Sequence, residues 1–171
     1  MKSKSYVWLS LGLILGVTTG CHKKTQTVQA PEEITTAENP AANQEPSLRG
    51  KEYQEVPDLV AVYFDLDQSS LREDARDTLK KNGDVLQQHT DWEALVEGHC
   101  DERGTEAYNL SLGQRRAAAV RNYYMSLGIP GSRVATISYG KEKPVCSEHD
   151  ESCWSKNRRA PTKVRINPES K

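Results

Sequence analysis

The sequence predicts an α/β (α+β) fold, a two-layer sandwich of helices on a small mixed sheet in the order β-α-β-α-β-β. Three observations carry this. Apolar residues in segments 59–66 and 92–98 follow strand alternation, whereas those in segments 71–86 and 106–127 recur at helical spacing. Helical and strand patterns alternate at first, and then two strand patterns adjoin, which favours a mixed sheet. The 171 residues allow one ordinary domain with tails, hardly two.

The elements follow in chain order. Lys2 and Lys4 precede an apolar run over residues 6–17, too short to span a bilayer and read as a secretory signal peptide over residues 1–20. The run ends at Thr18-Thr19-Gly20-Cys21, which resembles a bacterial lipobox with Thr18 where Leu is usual. That resemblance implies acylation of Cys21, which would remove it from disulfide chemistry. His22 rather than Asp after Cys21 resembles an outer-membrane passenger, on the periplasmic side. An ordinary cleaved signal with an incidental Cys is the alternative. Residues 21–57, with Pro31, Pro40, Pro46 and Pro57 and few large apolar groups, predict a disordered tether. A spacer of about 35 such residues reaches ~30–35 Å.

The folded domain is expected over residues 58–171. Residues 59–66 read as a strand with Val60, Val62, Phe64 and Leu66 on one face. Ser70-Leu71-Arg72-Glu73 reads as a capping box opening a helix with the stripe Leu71, Ala75, Leu79, Asn82 and Leu86. Residues 92–98 are the second strand. Gly104-Thr105 opens the longest helix, residues 106–127, stopped by Gly128 and Pro130. Residues 133–139 and, after a loop, 160–166 complete the strands, with Pro161 confined to a start or an edge.

Composition narrows the function. Lys plus Arg is 23 against 24 for Asp plus Glu, a net charge of -1, so nothing supports a nucleic-acid binder. A mean hydropathy of -0.75 excludes a polytopic membrane protein.

Chemistry concentrates in residues 97–105, Glu-Gly-His-Cys-Asp-Glu-Arg-Gly-Thr, where a strand runs into charged residues and then a helix N-terminus. On the next helix Leu112, Ala119, Val120, Tyr123 and Leu127 define an apolar face. Asn109 and Arg116, about 20° apart, share it. A buried guanidinium needs an anion, and Asp101, Asp65 or Asp67 are the nearest supply. Carboxylate and guanidinium together suit a zwitterionic ligand: Arg forks onto its carboxylate and Asp accepts from its ammonium. A buried Arg–Asp pair that only pins helix to sheet is the alternative.

Val62-Tyr63-Phe64-Asp65-Leu66-Asp67, the residues 97–105 above, Tyr108-Asn109-Leu110-Ser111-Leu112-Gly113-Gln114-Arg115-Arg116-Ala117, Ser138-Tyr139-Gly140 and Asn157-Arg158-Arg159 together resemble the OmpA-like peptidoglycan-binding domain family, most closely its lipoprotein branch. The resemblance covers about residues 58–167. It implies non-covalent binding to the diaminopimelate of the peptidoglycan stem peptide, tethering outer membrane to cell wall. The family's key Asp falls on Asp101 and its key Arg on Arg116, with Asp67, Asn109, Leu112 and Arg158 as further site residues. It also implies TolB, with TolA as a further candidate, as partners in a Tol-Pal system of envelope integrity and cell division. Gly113 stands where many relatives have Ser, and the loop after Gly140 carries two extra Cys.

Cys146 and Cys153 bracket six residues of a polar loop, and in an oxidising compartment a loop-closing disulfide is the simple reading. A metal site of Cys146, His149 and Cys153, with His99 or Cys100, and a reduced pair are the alternatives. Cys100 reads as a small buried hydrophobe. A hydrolase built on His99, Asp101 and Ser111 or Cys100 lacks any nucleophile elbow, so no enzyme is expected. No cofactor or resident metal is expected either. A cell-wall hydrolase and a structural lipoprotein contacting only envelope proteins remain the rival functions.

Overall fold

The computed structural model of the chain describes residues 43–166. The expected signal peptide, Cys21 and the first part of the expected tether lie outside the described residues.

The elements are β1 (Val62–Tyr63), α1 (Glu73–Gln88), β2 (Trp92–His99), α2 (Glu106–Ser126), β3 (Val134–Gly140), α3 (Glu151–Asn157), β4 (Arg159–Ala160) and β5 (Thr162–Ile166). β2 is the central strand, parallel to β3 and antiparallel to β5. β1 pairs antiparallel with β4, Val62 opposite Ala160. Pro161 has no N–H to offer a ladder, but its carbonyl accepts from Glu97 N at 3.1 Å. The C-terminal path therefore changes partner at Pro161, serving β1 before it and β2 after it. The mixed sheet and the alternation of strands with helices are those the sequence pattern predicts, with Pro161 dividing the expected last strand in two.

β2 has two unlike faces. Ala94 and Val96 enter the core with Val134, Val164, Leu79, Leu86, Ala117 and Val120. The other face carries Glu93, Leu95, Glu97 and His99, also buried. There Glu93 takes Lys51 at 3.1 Å and Arg165 at 2.6 Å, and Glu97 takes Lys163 at 3.2 Å. Long cationic stems thus cover the sheet face that none of the described α-helices covers.

On α1 the buried residues are Ala75, Leu79, Asn82, Gly83 and Leu86, close to the predicted stripe. Asn82 explains why the expected first strand is short. Its Oδ1 accepts from Val60 N at 3.1 Å, and its Nδ2 donates to Val60 O at 2.8 Å and to Tyr124 Oη at 3.2 Å. A side chain supplies Val60 with the bonds a neighbouring strand would give, so the ladder shrinks to two residues. Asn82→Ala would leave both Val60 groups unpaired, and we expect it to cost about 2–4 kcal/mol. Urea denaturation measures this, and an unmoved midpoint would show the bonds to be dispensable.

Two local expectations are corrected. The capping box does not form: the N-cap of α1 is Arg72, without a side-chain cap bond, and its guanidinium binds Asp74 at 2.7 Å and Asp65 at 2.8 Å instead. The loop after β3 contains a helix, α3, capped by Asp150, whose side chain accepts from Cys153 N at 2.9 Å. Residues of the segment before β1 touch the sheet. Gln54 bridges to Val164, and Glu45 accepts from Thr136 N at 3.1 Å. Each contact satisfies part of an open strand edge.

Candidate functional site

The end of β2, the first turns of α2 and the loop after β1 surround a cavity of about 320 Å³. Its lining includes Asp101, Arg116, Asp67, Asn109 and Leu112, five of the six residues singled out from the sequence. Leu66, Cys100, Arg103, Gly104 and Tyr108 complete it.

Arg116 is 0% exposed. Among the described residues no carboxylate bonds it, so the expected anion is not its partner. Its guanidinium instead donates to three backbone carbonyls: Nε to Gln68 O at 2.8 Å, Nη1 to His99 O at 2.8 Å and Nη2 to Asp65 O at 3.1 Å. Carbonyls satisfy donors but do not neutralise a charge. Each terminal nitrogen keeps a second N–H. Burial works against the charge and lowers the pKa of Arg116, but an arginine stays protonated regardless. The cavity therefore holds a buried cation with spare donors.

Asp101, 4% exposed, is held tightly. Oδ1 accepts from Arg103 N and Nε, each at 3.1 Å, and Oδ2 accepts from Arg103 Nη2 at 2.7 Å and Arg158 Nη1 at 3.3 Å. Burial alone would raise the carboxyl pKa, but the Arg103 side-chain and backbone bonds, with help from Arg158, hold it below the usual carboxylate range. Arg158 does not line the cavity. It stands behind Asp101, with Nε on Phe64 O at 3.0 Å. Arg103 and Tyr108 stood in the quoted motif but were given no role. Arg103 is signalled by an Asp two residues before it, whose side chain can accept from its backbone N–H.

The rest of the frame is local. Thr105 caps α2, its Oγ1 accepting from Tyr108 N at 3.2 Å. Asn109 faces inward as its spacing predicts and donates to Arg103 O at 2.8 Å and Thr105 O at 3.1 Å, which fixes the loop carrying Asp101. Lys141 adds bonds to Glu102 O and Gly104 O. Asp67 adopts φ 58°, a left-handed conformation that Asp tolerates better than most residues, and accepts from Tyr108 Oη. Leu112 is buried and gives the cavity an apolar wall. The cavity is thus lined by two guanidinium groups, of Arg103 and Arg116, and two carboxylates, of Asp101 and Asp67. Chemically, such a lining can receive a carboxylate together with a cation.

Cys146 and Cys153 are disulfide-bonded, and Cys100 is a free buried thiol. His149 pairs with Glu102 at 2.7 Å. Among the described residues no cluster of three or more His, Cys, Asp or Glu is placed to hold a metal. His99 lies under the sheet, 3.4 Å from Glu97.

These ionisations set an acid limit. Burial, opposed by Glu97, lowers the His99 pKa. The unfolded chain therefore takes up a proton that the folded one refuses as pH falls below about 6.5, and stability declines. The lowered carboxyls of Asp101, Glu93 and Glu97 add a second loss below about pH 4–5, where the unfolded chain protonates first. His149 moves the other way, raised by Glu102, but at the surface, where screening leaves it little effect. We expect the urea midpoint to fall in two stages from pH 7 to pH 4, and His99→Gln to flatten the first. A midpoint constant over this range would contradict the assignment.

Residues 63–158 match the family model described as the OmpA family. The peptidoglycan-associated lipoprotein of Rhizobium meliloti (strain 1021) is 54% identical over 101 residues, 59% of this chain and 57% of the relative. That of Pseudomonas aeruginosa is 40% identical over 105 residues, 61% of this chain and 62% of the relative. The chain thus spans less than two thirds of the length of these relatives. The crystal structure of the peptidoglycan-associated lipoprotein from Burkholderia pseudomallei superposes with a TM-score of 0.60 at 42% identity, covering 61% of this chain and 89% of that one. The C-terminal domain of Helicobacter pylori MotB reaches the same TM-score of 0.60 at 16% identity, over 65% of this chain and 88% of that one, a likeness of fold alone.

Proposed function

The chain belongs to the OmpA family, and from that membership we propose that it is a peptidoglycan-binding lipoprotein that anchors an outer membrane to the cell wall. The domain grips the free end of a diaminopimelate side chain. Acyl chains on Cys21 hold the other end of the protein in the membrane, and the residues between them set the distance. TolB, with TolA as a further candidate, are the protein partners this reading implies, within a Tol-Pal system. The role is anchoring, without catalysis.

One observation carries the ligand assignment: a fully buried Arg116 that bonds backbone carbonyls and, among the described residues, no carboxylate, lining the same cavity as Asp101. The free end of diaminopimelate has an ammonium and a carboxylate on one carbon. Its carboxylate would take the spare N–H groups of Arg116, a forked charge-assisted contact. Its ammonium would take Asp101 in exchange for Arg103, whose side chain is 34% exposed and able to withdraw. Leu66 and Leu112 flank the methylene chain.

The test is a sacculus pull-down of the full-length protein. Sacculi should retain it, and free diaminopimelate should release it. Nα-acetyl-lysine amide, which has the side-chain ammonium but no carboxylate, should not. Equal release by Nα-acetyl-lysine amide, or no retention at all, would remove the assignment. Separately, Cys21→Ser should move the protein from the membrane fraction to the soluble one, and continued sedimentation with membranes would count against acylation.

A further inference from the structure

Resting on the ligand reading above, we propose that the disulfide-closed segment carrying α3 is a positioning element for Asp101, acting through Arg158 and Arg103. None of its residues lines the cavity. Its influence runs through the two arginines that hold the carboxylate.

Arg158 spans the gap. Its Nη1 is 3.3 Å from Asp101 Oδ2 and its Nη2 is 2.5 Å from Glu151 Oε1. Glu151, in the first turn of α3, therefore holds the far side of the guanidinium whose near side holds Asp101. Arg103 is met twice by the same helix. Its guanidinium carbon lies 4.1 Å from the Trp154 ring centroid, and its Nη2 lies 3.8 Å from Glu151 Oε2. Arg103 makes both contacts while it is bonded to Asp101, and it would keep them when a ligand ammonium takes its place on the carboxylate. Trp154 is itself oriented by its Nε1 donating to Glu102 at 2.8 Å.

What fixes α3 is mostly not its own helical stability. It has 7 residues, and so short a helix is unstable alone. Asn157 accepts from Val145 N at 2.9 Å and donates to Cys146 O at 2.7 Å. The Cys146–Cys153 bond ties the helix covalently to the loop before it. Without that bond only non-covalent contacts tie the helix to the loop before it, and the arginines lose part of their reference.

The groups acting on Asp101 are the cations Arg103, Arg158 and Arg116, and on the other side Glu102 and the Cys100 thiol. Loosening Arg103 and Arg158 leaves burial to push the carboxyl back up. Binding should then fail at a higher pH than in the native protein.

The experiment titrates the full-length protein calorimetrically with free diaminopimelate over roughly pH 3 to 8, a window that extends below the ordinary Asp range where the native acid limb is expected. The chains compared are native, Glu151→Gln, Glu151→Asp and the double variant Cys146→Ser/Cys153→Ser. Glu151→Gln and the double variant should bind about tenfold more weakly, with the acid limb of binding moved to higher pH. Glu151→Asp, which keeps the carboxylate, should recover part of both. A merely structural α3 would lower the melting temperature and leave the acid limb in place. Unchanged affinity in the folded variants, or weaker binding with an unmoved acid limb, overturns the positioning role while native binding leaves the ligand reading standing. Absence of native binding removes both. If the double variant does not fold, Glu151→Gln, which retains the disulfide, decides alone.

Discussion

Arg116→Lys should yield a folded protein that no longer binds sacculi, and Arg116→Ala one that barely folds. The two results follow from the two tasks of one guanidinium. It joins the loop after β1, through Asp65 O and Gln68 O, to the end of β2, through His99 O. Alanine removes all three bonds and leaves a hole at a fully buried position. Charged hydrogen bonds contribute about 1.5–3 kcal/mol each, although not additively. A loss of about 3–5 kcal/mol is therefore expected, against a total of roughly 5–15 kcal/mol for a domain. Lysine keeps the charge and can reach one or two of the carbonyls, but it cannot hold two and still present a planar fork. Sacculus binding should fall at least about a hundredfold while the urea midpoint drops only partway to that of the alanine variant. Native binding by a folded Arg116→Lys protein would show that the fork is not what grips the ligand.

The same residue marks how far the sequence could be read. Helical spacing placed Asn109 and Arg116 on the apolar face of α2, and both are buried there. Spacing could not say what Arg116 would bond. The expected anion is replaced by carbonyls from segments far away in sequence, and only the closed fold brings those together. Local rules failed where tertiary contacts outbid them. Ser70-Leu71-Arg72-Glu73 has the pattern of a capping box, but Arg72 found Asp65 and Asp74, and the helix began at Glu73. Residues 59–66 alternate like a strand, but Asn82 took over the bonding of Val60. α3 escaped notice because its few residues cannot show an apolar period, although Asp150 before Cys153 was a legible cap. Arg158 was singled out by resemblance, and its physical part is indirect: it holds Asp101 from behind.

A second large effect is expected at Gly98→Ala, which touches no ligand. A Cβ at Gly98 would stand 1.9 Å from Gly113 O and 2.5 Å from Gly113 C. The obstacle is the backbone of α2, which cannot step aside as a side-chain tip can. Strand and helix meet here main chain to main chain, and Gly113 is less confined, its Cβ falling 2.3 Å from Ser138 Oγ, a side-chain atom, and 2.9 Å from Gly98 O. This contact also sets the site. Asp101 lies three residues beyond Gly98 and Arg116 three residues beyond Gly113, so the closest approach of β2 and α2 fixes the gap between the two charges. Pushing the helix off the strand would part Ala94 and Val96 from Ala117 and Val120 in the core. It would also stretch the bond from Arg116 to His99 O. Overpacking of this kind costs about 1–3 kcal/mol where side chains can adjust, and more where backbone blocks. We expect about 3 kcal/mol or more, read from urea denaturation, and binding lowered about a hundredfold in whatever remains folded. Gly83→Ala is the comparison. Its Cβ meets the Leu127 side chain, closest at the movable Cδ1, 2.7 Å away, and alanine favours the helix by up to about 1 kcal/mol. It should be close to neutral in both measurements. If Gly98→Ala were as mild as Gly83→Ala, the spacing between Asp101 and Arg116 would have to be set by something other than the meeting of these two glycines.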